Sequence, residues 1–209
     1  MALFITFEGG EGCGKSVQAR ALYDRLSQSA IPAVLTHEPG GTPLSRKLRR
    51  LLKEADNISI SPLAELLLFN AARTQLIDEV IRPQLGKGKV VICDRYADST
   101  TAYQSYGRGL DSETVAAIND IATGGLKPDL TILLDISAEK GLGRKQRRDR
   151  FEQENIAFHQ RVREGYLKLA ASEPGRWLVI DAKQGKEKIA EIIWQKISQL
   201  FSQRGFRHA

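Results

Sequence analysis

FEGGEGCGKS, residues 7–16, is the stretch on which the reading of this chain turns. Gly9, Gly10, Glu11, Gly12, Cys13, Gly14, Lys15 and Ser16 run in the order G-x-x-x-x-G-K-[ST]. The run follows an apolar segment, ALFITFE (2–8), and opens an amphipathic one over 15–28. That strand-to-helix context gives the motif its physical meaning. The glycines let the backbone curl until several N–H groups face one point, and the helix N-terminus adds partial positive charge there. The stretch is read as an ATP-binding loop. Lys15 is expected to bridge the β- and γ-phosphates of a nucleotide, and Ser16 to offer its hydroxyl to Mg²⁺. Glu11 is the anomaly, a carboxylate inside a loop built for anions.

Working outward, apolar runs alternate with amphipathic ones. Residues 2–8, 33–38, 89–94, 130–135 and 176–181 are continuous, β-branched and bounded by turn or polar residues, the pattern of buried parallel strands. Helical patterns lie near 15–28, 43–54, 61–85, 111–123, 138–172 (broken near 150) and 185–203. SPLAEL supplies a helix start, with Ser61 as N-cap and Pro62 at the first position. Ile189, Ile192, Ile193, Ile197 and Leu200 form one stripe of the last helix. The alternation predicts an α/β domain with a five-stranded parallel sheet, whose ligands sit at the carboxyl ends of the strands. The 209 residues suit one domain, 1–209, carrying a mobile insertion.

Hydrophobic residues make up 42% and charged residues 27% of the chain, ordinary for a globular protein. There is no apolar run of about 18 residues, so no membrane span is expected. Cys13 and Cys93 lack metal or disulfide spacing, which suits a reduced, cytoplasmic setting. The net charge of +6 points to acidic partners: nucleic acid, anionic lipid or phosphorylated small molecules. The switch motifs D-x-x-G and N-K-x-D occur nowhere. A small kinase is the simplest reading of the loop.

The acceptor is sought near VVICDRY (90–96). It places Asp94 and Arg95 at the end of a strand, close to the loop. Asp94 can hold Mg²⁺ through water, and Arg95 brings a planar fork suited to phosphate oxygens. Asp135, ending TILLD, competes for the metal, but is read as the cap of the next helix. Phe69 and Arg73 share a helix face, a flat plate beside a guanidinium; the alternative is a core Phe and a solvated Arg. Ser99, Thr100, Tyr103 and Gln104 could read a base or sugar edge, or belong to an ordinary loop.

GRKQRRDRFE (143–152) concentrates Arg144, Lys145, Arg147, Arg148 and Arg150. A solvated face, a nucleic-acid patch and a lid over transferring phosphates are all open. Beside a phosphate loop the lid gains weight, because phosphoryl transfer needs positive charge on oxygens whose charge shifts.

Taken together, FEGGEGCGKS, EPGGT (38–42), LFNAAR (68–73), DRYADSTTAYQ (94–104), the basic segment, DRFEQE (149–154), YLKLA (166–170) and VIDA (179–182) resemble thymidylate kinases, the bacterial form in particular. The resemblance covers nearly the whole chain in the family's order. EPGGT together with DRY…STTAYQ is the specific part. It implies a P-loop nucleoside monophosphate kinase fold, a basic lid near 141–153, and transfer of the γ-phosphoryl of MgATP to dTMP in dTTP biosynthesis, with a homodimer and no nucleic-acid partner. By that resemblance Phe69 stacks on thymine, Arg73 reads its carbonyl edge, and Thr100 and Gln104 add base contacts. Tyr103 crowds the 2′ position, and Arg49 and Arg95 hold the acceptor phosphate. Glu38 and a cis Pro39 lie over the acceptor, with Ser99 beside it. The loop lacks an arginine, so the lid would supply the charge through Arg144, Arg148 or Arg150. Glu11 would point outward and accept from the 3′-hydroxyl of dTMP. Residues near Ala182 would touch adenine. The acceptor phosphate is already nucleophilic, its second pKa being about 6, so His37, His159 and His208 are read as bystanders. Another nucleotide kinase and a nucleotide-dependent nucleic-acid binder are the competing readings.

Overall fold

A computed structural model describes residues 2–54, 59–144 and 149–205. Five parallel strands form one sheet: β1 (Leu3–Glu8), β2 (Ala33–His37), β3 (Val90–Asp94), β4 (Leu130–Asp135) and β5 (Trp177–Asp181). Their order across the sheet is β2-β3-β1-β4-β5. The chain leaves β1 past β3 to β2, and crosses back from β3 over β1 to β4. The reversal opens a crevice beyond the carboxyl end of β1, where such sheets bind ligands. Register sets Phe7 against Asp94 on one side and Glu8 against Leu133 on the other.

Alternation along β1 divides the core. Leu3, Ile5 and Phe7 pack with α1 (Lys15–Gln28) and α9 (Lys186–Gln203), through Leu22, Leu26, Ile189, Ile193, Ile197 and Phe201. Phe4 points the other way, to Leu76, Ile77 and Ile81. The expected stripe on α9 is therefore the buried one, with Ile192 and Leu200 at its margin. Ile5 and Ile193 are fully buried, and truncating either to Ala should cost about 2–5 kcal/mol.

Helix α2 (Pro43–Glu54) packs on α3 (Pro62–Leu76), and α4 (Arg82–Gly86) packs on β3, α3 and α4 being joined by a π-helical stretch at Ile77–Ile81. Ser61 Oγ accepts from Ala64 N at 3.4 Å and Pro62 opens the helix, as the sequence predicts. The segment after β3 is not a loop. It forms α5 (Ala97–Thr100), continues as a π-helix over Thr101–Gly107, and precedes α6 (Ser112–Thr123). Its start has no side-chain cap, so no local signal marks it. Burial of Ala102 and Tyr103 against Phe158, Val162 and Tyr166 of α8 (Ile156–Ser172) stabilises it instead. The interruption expected near 150 separates α8 from the short α7 (Ala138–Gly143). No helix among the described residues is long and apolar enough to cross a membrane.

Candidate active site

The phosphate loop joins β1 to α1. Gly14, at φ 97°, precedes α1 and no side chain caps the helix, so its first N–H groups are left to a ligand. Gly12 is obligatory for a different reason. A Cβ there would lie 1.9 Å from Gly141 O, and one on Gly141 would lie 2.2 Å from Glu11 O. Loop and α7 thus touch backbone to backbone. Cys13 buries its side chain at the edge of the core, where its Sγ accepts from Lys15 Nζ at 3.4 Å. Lys15 Nζ donates to Gly9 O (3.0 Å) and Gly10 O (2.7 Å). Ser16 Oγ donates to Asp94 Oδ2. These open onto a cleft of about 1190 Å³ that also takes in Glu11, Arg49, Lys53, Asp94, Arg95 and Arg144.

Asp135 is not the cap of the following helix. Ser137 holds the N-cap position of α7, and Asp135 is clasped bidentately by Arg163 of α8 (2.7 and 2.8 Å). The carboxylate facing Ser16 is Asp94. Hydroxyl and carboxylate oxygens suit a hard cation such as Mg²⁺, which keeps water and phosphate as its other ligands. No cluster of three or more acidic, His or Cys ligands exists among the described residues.

Arg95 holds a left-handed backbone, φ 73°, a conformation that disfavours a Cβ by about 1–2 kcal/mol. Its N–H donates to Phe7 O at 2.9 Å, and its fork is committed on both ends. One terminal nitrogen donates to Gly9 O (3.2 Å), Ser99 Oγ (3.3 Å) and Tyr166 OH (3.2 Å). The other meets Glu11 Oε1 (2.7 Å) and Tyr103 OH (3.1 Å). Tyr103 OH donates to the same Glu11 oxygen at 2.7 Å. Burial alone would raise the Glu11 pKa. The Arg95 and Lys15 charges and the Tyr103 bond overcome it and hold the carboxyl well below the usual range. The anomalous carboxylate is the counter-ion of Arg95.

A second, narrow cavity of about 40 Å³ lies beyond Arg95, walled by Glu11, Glu38, Pro39, Phe69, Arg73, Thr100, Tyr103, Gln104 and Phe151. The structure therefore gathers most of the expected acceptor residues. Arg73 is 1% exposed, neither solvated nor loose. It donates to Glu38 Oε2 (2.8 Å), Asn70 Oδ1 (2.9 Å), Asn119 Oδ1 (3.0 Å) and Tyr96 O (3.1 Å). Four of its five donors are so engaged. Glu38 Oε1 is buried and has no hydrogen-bond partner among the described residues, and burial pushes this carboxyl up to about 7 against the pull of Arg73. The Glu38–Pro39 bond is cis, and Pro39 O accepts from Arg49 (3.1 Å). Thr100 Oγ1 sits 2.8 Å from Ala97 O and 3.0 Å from Asn119 Oδ1. Ser99 also lines this cavity, and its Oγ donates to Glu8 Oε2 at 2.6 Å.

The basic segment divides. Arg144 reaches Gly12 O (3.3 Å) and Ala182 O (3.4 Å), against the loop. Arg150 is not at the loop. A buried carboxylate, Glu65, takes its guanidinium at 2.6 Å while Arg150 Nε donates to Leu52 O (2.9 Å). Arg148 lies outside the described residues, as do Lys145 and Arg147. Phe151 rests 5.6 Å from Phe69, ring to ring. His37 lines the large cleft, its pKa lowered by burial and by Arg49. His159 is buried beside Phe158, and His208 lies outside the described residues.

The sequence model of the family described as "Thymidylate kinase" matches residues 7–193. The chain belongs to the thymidylate kinase family. A thymidylate kinase of Dehalococcoides mccartyi (strain 195) is 56% identical over 202 residues, spanning 96% of this chain and 98% of its own. One from Geotalea uraniireducens is 49% identical, spanning 90% and 92%. The crystal structure of thymidylate kinase from Ehrlichia chaffeensis superposes with a TM-score of 0.76 at 34% identity, covering 94% of this chain and 98% of that one. The fold is accordingly the P-loop nucleoside monophosphate kinase fold.

Against this family frame, the residues that sequence reasoning did not single out are those beneath the site. Glu8 accepts from Tyr96 N (2.7 Å), Ser99 Oγ (2.6 Å) and Tyr166 OH (2.9 Å). Asn119 ties α6 to Arg73 and Thr100. Glu65 gathers three side chains. Each acts between segments far apart in the chain. Glu8, adjoining the loop motif in FEGGEG, and Glu65, one helical turn before Phe69, were within reach of a neighbour argument.

Proposed function

We infer that this chain phosphorylates dTMP, taking the γ-phosphoryl of ATP and yielding dTDP and ADP, a step of dTTP synthesis. It is a nucleoside monophosphate kinase. The observation that carries the reading is the place of Arg95, between the phosphate loop and the small cavity walled by Phe69 and Arg73. A guanidinium there meets the acceptor phosphate and the transferred group together.

The proposed roles follow from position. The loop amides of residues 9–16 and Lys15 hold the donor phosphates, with Arg144 approaching from the lid side. Ser16 and Asp94 would hold Mg²⁺, which would supply positive charge against the donor phosphates. Phe69 stacks on thymine, and the remaining N–H of Arg73 donates to its carbonyl edge. Arg49 and Arg95 orient the acceptor phosphate. Tyr103 and Glu11 line the sugar side, where Glu11 also keeps Arg95 in place. At neutral pH a phosphate oxygen attacks without a strong base, since the second phosphate pKa is about 6. The protein's contribution is to align two anions and balance their charge.

A homodimer is supported by large exposed side chains on three neighbouring helices: Leu44 and Leu51 of α2, Leu63 and Leu67 of α3, and Ile121 of α6. The free, buried cysteines accord with a cytoplasmic enzyme. The nucleic-acid reading loses support because Arg144 and Arg150 are engaged within the protein. Steady-state assay of ADP release with dTMP, dUMP, dCMP and thymidine tests the function. dTMP is expected to be the preferred acceptor; release that ignores dTMP would overturn the assignment.

A further inference from the structure

Glu65 lies on α3, one helical turn before Phe69, and is 1% exposed. Its carboxylate receives four donors. Oε1 accepts from Gln104 Nε2 (2.8 Å) and Arg108 Nε (3.1 Å); Oε2 accepts from Arg108 (3.1 Å) and Arg150 (2.6 Å). In all four bonds the nitrogen donates and the carboxylate oxygen accepts. Gln104 is buried and lines the small cavity. Its amide has one nitrogen and one oxygen to distribute. With the nitrogen bound to Glu65, the oxygen is what it has to offer the cavity.

We propose that Glu65 is a positioning residue for base specificity, locking the Gln104 amide so that its carbonyl oxygen faces the pyrimidine. This rests on the reading above that Gln104 meets the base. Thymine and uracil carry a donor, N3–H, between two carbonyls, and a carbonyl oxygen complements it. Cytosine presents a bare N3 acceptor, so the two lone pairs oppose each other. A site built on a fixed polar partner rejects the wrong pattern more strongly than an apolar pocket does, because the mismatched groups stay buried and unpaired. Glu65 thus acts through Gln104 without touching the nucleotide.

Glu65→Gln turns this logic around. Both arginines are donors and claim the single oxygen of the new amide. Its NH₂ then faces Gln104, which must turn its own oxygen inward and its nitrogen to the cavity. The ratio of kcat/KM for dTMP over dCMP should fall about ten-fold or more, mostly through a higher KM for dTMP. Glu65→Asp keeps an acceptor and should retain the ratio even where activity drops. If both variants lower the two acceptors by one common factor, Glu65 is only a brace and the proposal falls. Should Glu65→Gln not fold, NMR of the Gln104 side-chain amide in the unaltered enzyme decides. The N–H bound to Glu65 keeping its hydrogen-bonded shift as dTMP binds supports the lock; an amide that turns its nitrogen to the base overturns it. Gln104→Ala separates the two levels. An unchanged KM for dTMP removes the base-contact reading itself, whereas a raised KM with an unaltered ratio in Glu65→Gln removes only the role of Glu65.

Discussion

The proposed donor and acceptor halves of the site meet at Arg95, yet they are built by opposite means. The donor half is backbone. It is formed by the consecutive residues 9–16, with the side chains of Lys15 and Ser16 lining the cleft, which is wide, about 1190 Å³. The acceptor half is side chain. Phe69 and Arg73 come from α3, Tyr103 and Gln104 from the π-helical stretch, Glu38 from the end of β2, Phe151 from the segment before α8, and the cavity is narrow, about 40 Å³. Phosphate is alike in every nucleotide, so a generic cradle of N–H groups serves it. A particular base must be told from its relatives, and that takes side chains held in fixed orientations by others: Arg73 by Glu38, Asn70 and Asn119, and Gln104 by Glu65.

Arg95 is where the comparison is most easily broken. Arg95→Ala should lower kcat by about 10³-fold, the scale of a transition-state arginine, while ATP still binds by calorimetry. A nearly unchanged rate would mean that the halves do not communicate through it. Next, Lys15→Ala should lower kcat by about 10²–10³-fold, the scale for one preorganised donor, with the KM for dTMP little altered. A loss confined to dTMP would show that the loop does not belong to the donor alone.

Phe69→Ala should raise the KM for dTMP by roughly 5- to 150-fold, the worth of about 1–3 kcal/mol of base stacking, and spare the KM for ATP. A change in ATP affinity alone would mean the acceptor cavity is misplaced. The smallest expected effect is on stability. Burial and the nearby Asp98 raise the Glu8 pKa to about 7 despite its hydroxyl donors and Arg95. An unfolded Glu titrates near about 4.3. Between those values the folded chain keeps a proton that the unfolded chain has released, so stability falls as pH rises, by about 1 kcal/mol per unit. Below that window both states are protonated and the contribution is fully present. Glu8→Gln should flatten this slope in urea titrations across the window. A slope equal to that of the unaltered protein would show that another group carries it.

Legibility in the sequence followed the same division. The phosphate loop was readable because one contiguous motif specifies its backbone, and the sheet because buried parallel strands are continuous apolar runs. Asp94 and Arg95 were readable as the end of such a strand. Phe69 and Arg73 showed by helical spacing alone, but their setting did not. Nothing near Arg73 in the chain states that Glu38, 35 residues earlier, and Asn119, 46 residues later, bury its charge. The helix over 97–107 was missed because its polar, uncapped sequence has no local preference, and α8 supplies the packing that forms it. Arg150 was expected at the phosphates, on charge and position, and was found on Glu65.

By itself the sequence determined the strand–helix alternation, the phosphate loop and the family, because hydrophobic period and motif spacing act between neighbours in the chain. Only the tertiary structure decided that Glu11 neutralises Arg95, that Arg73 is buried among acceptors, and that Glu65 holds Gln104 by its nitrogen. Those outcomes depend on which charges are brought within hydrogen-bond reach and shielded from water, and a linear order of residues carries neither distance nor burial.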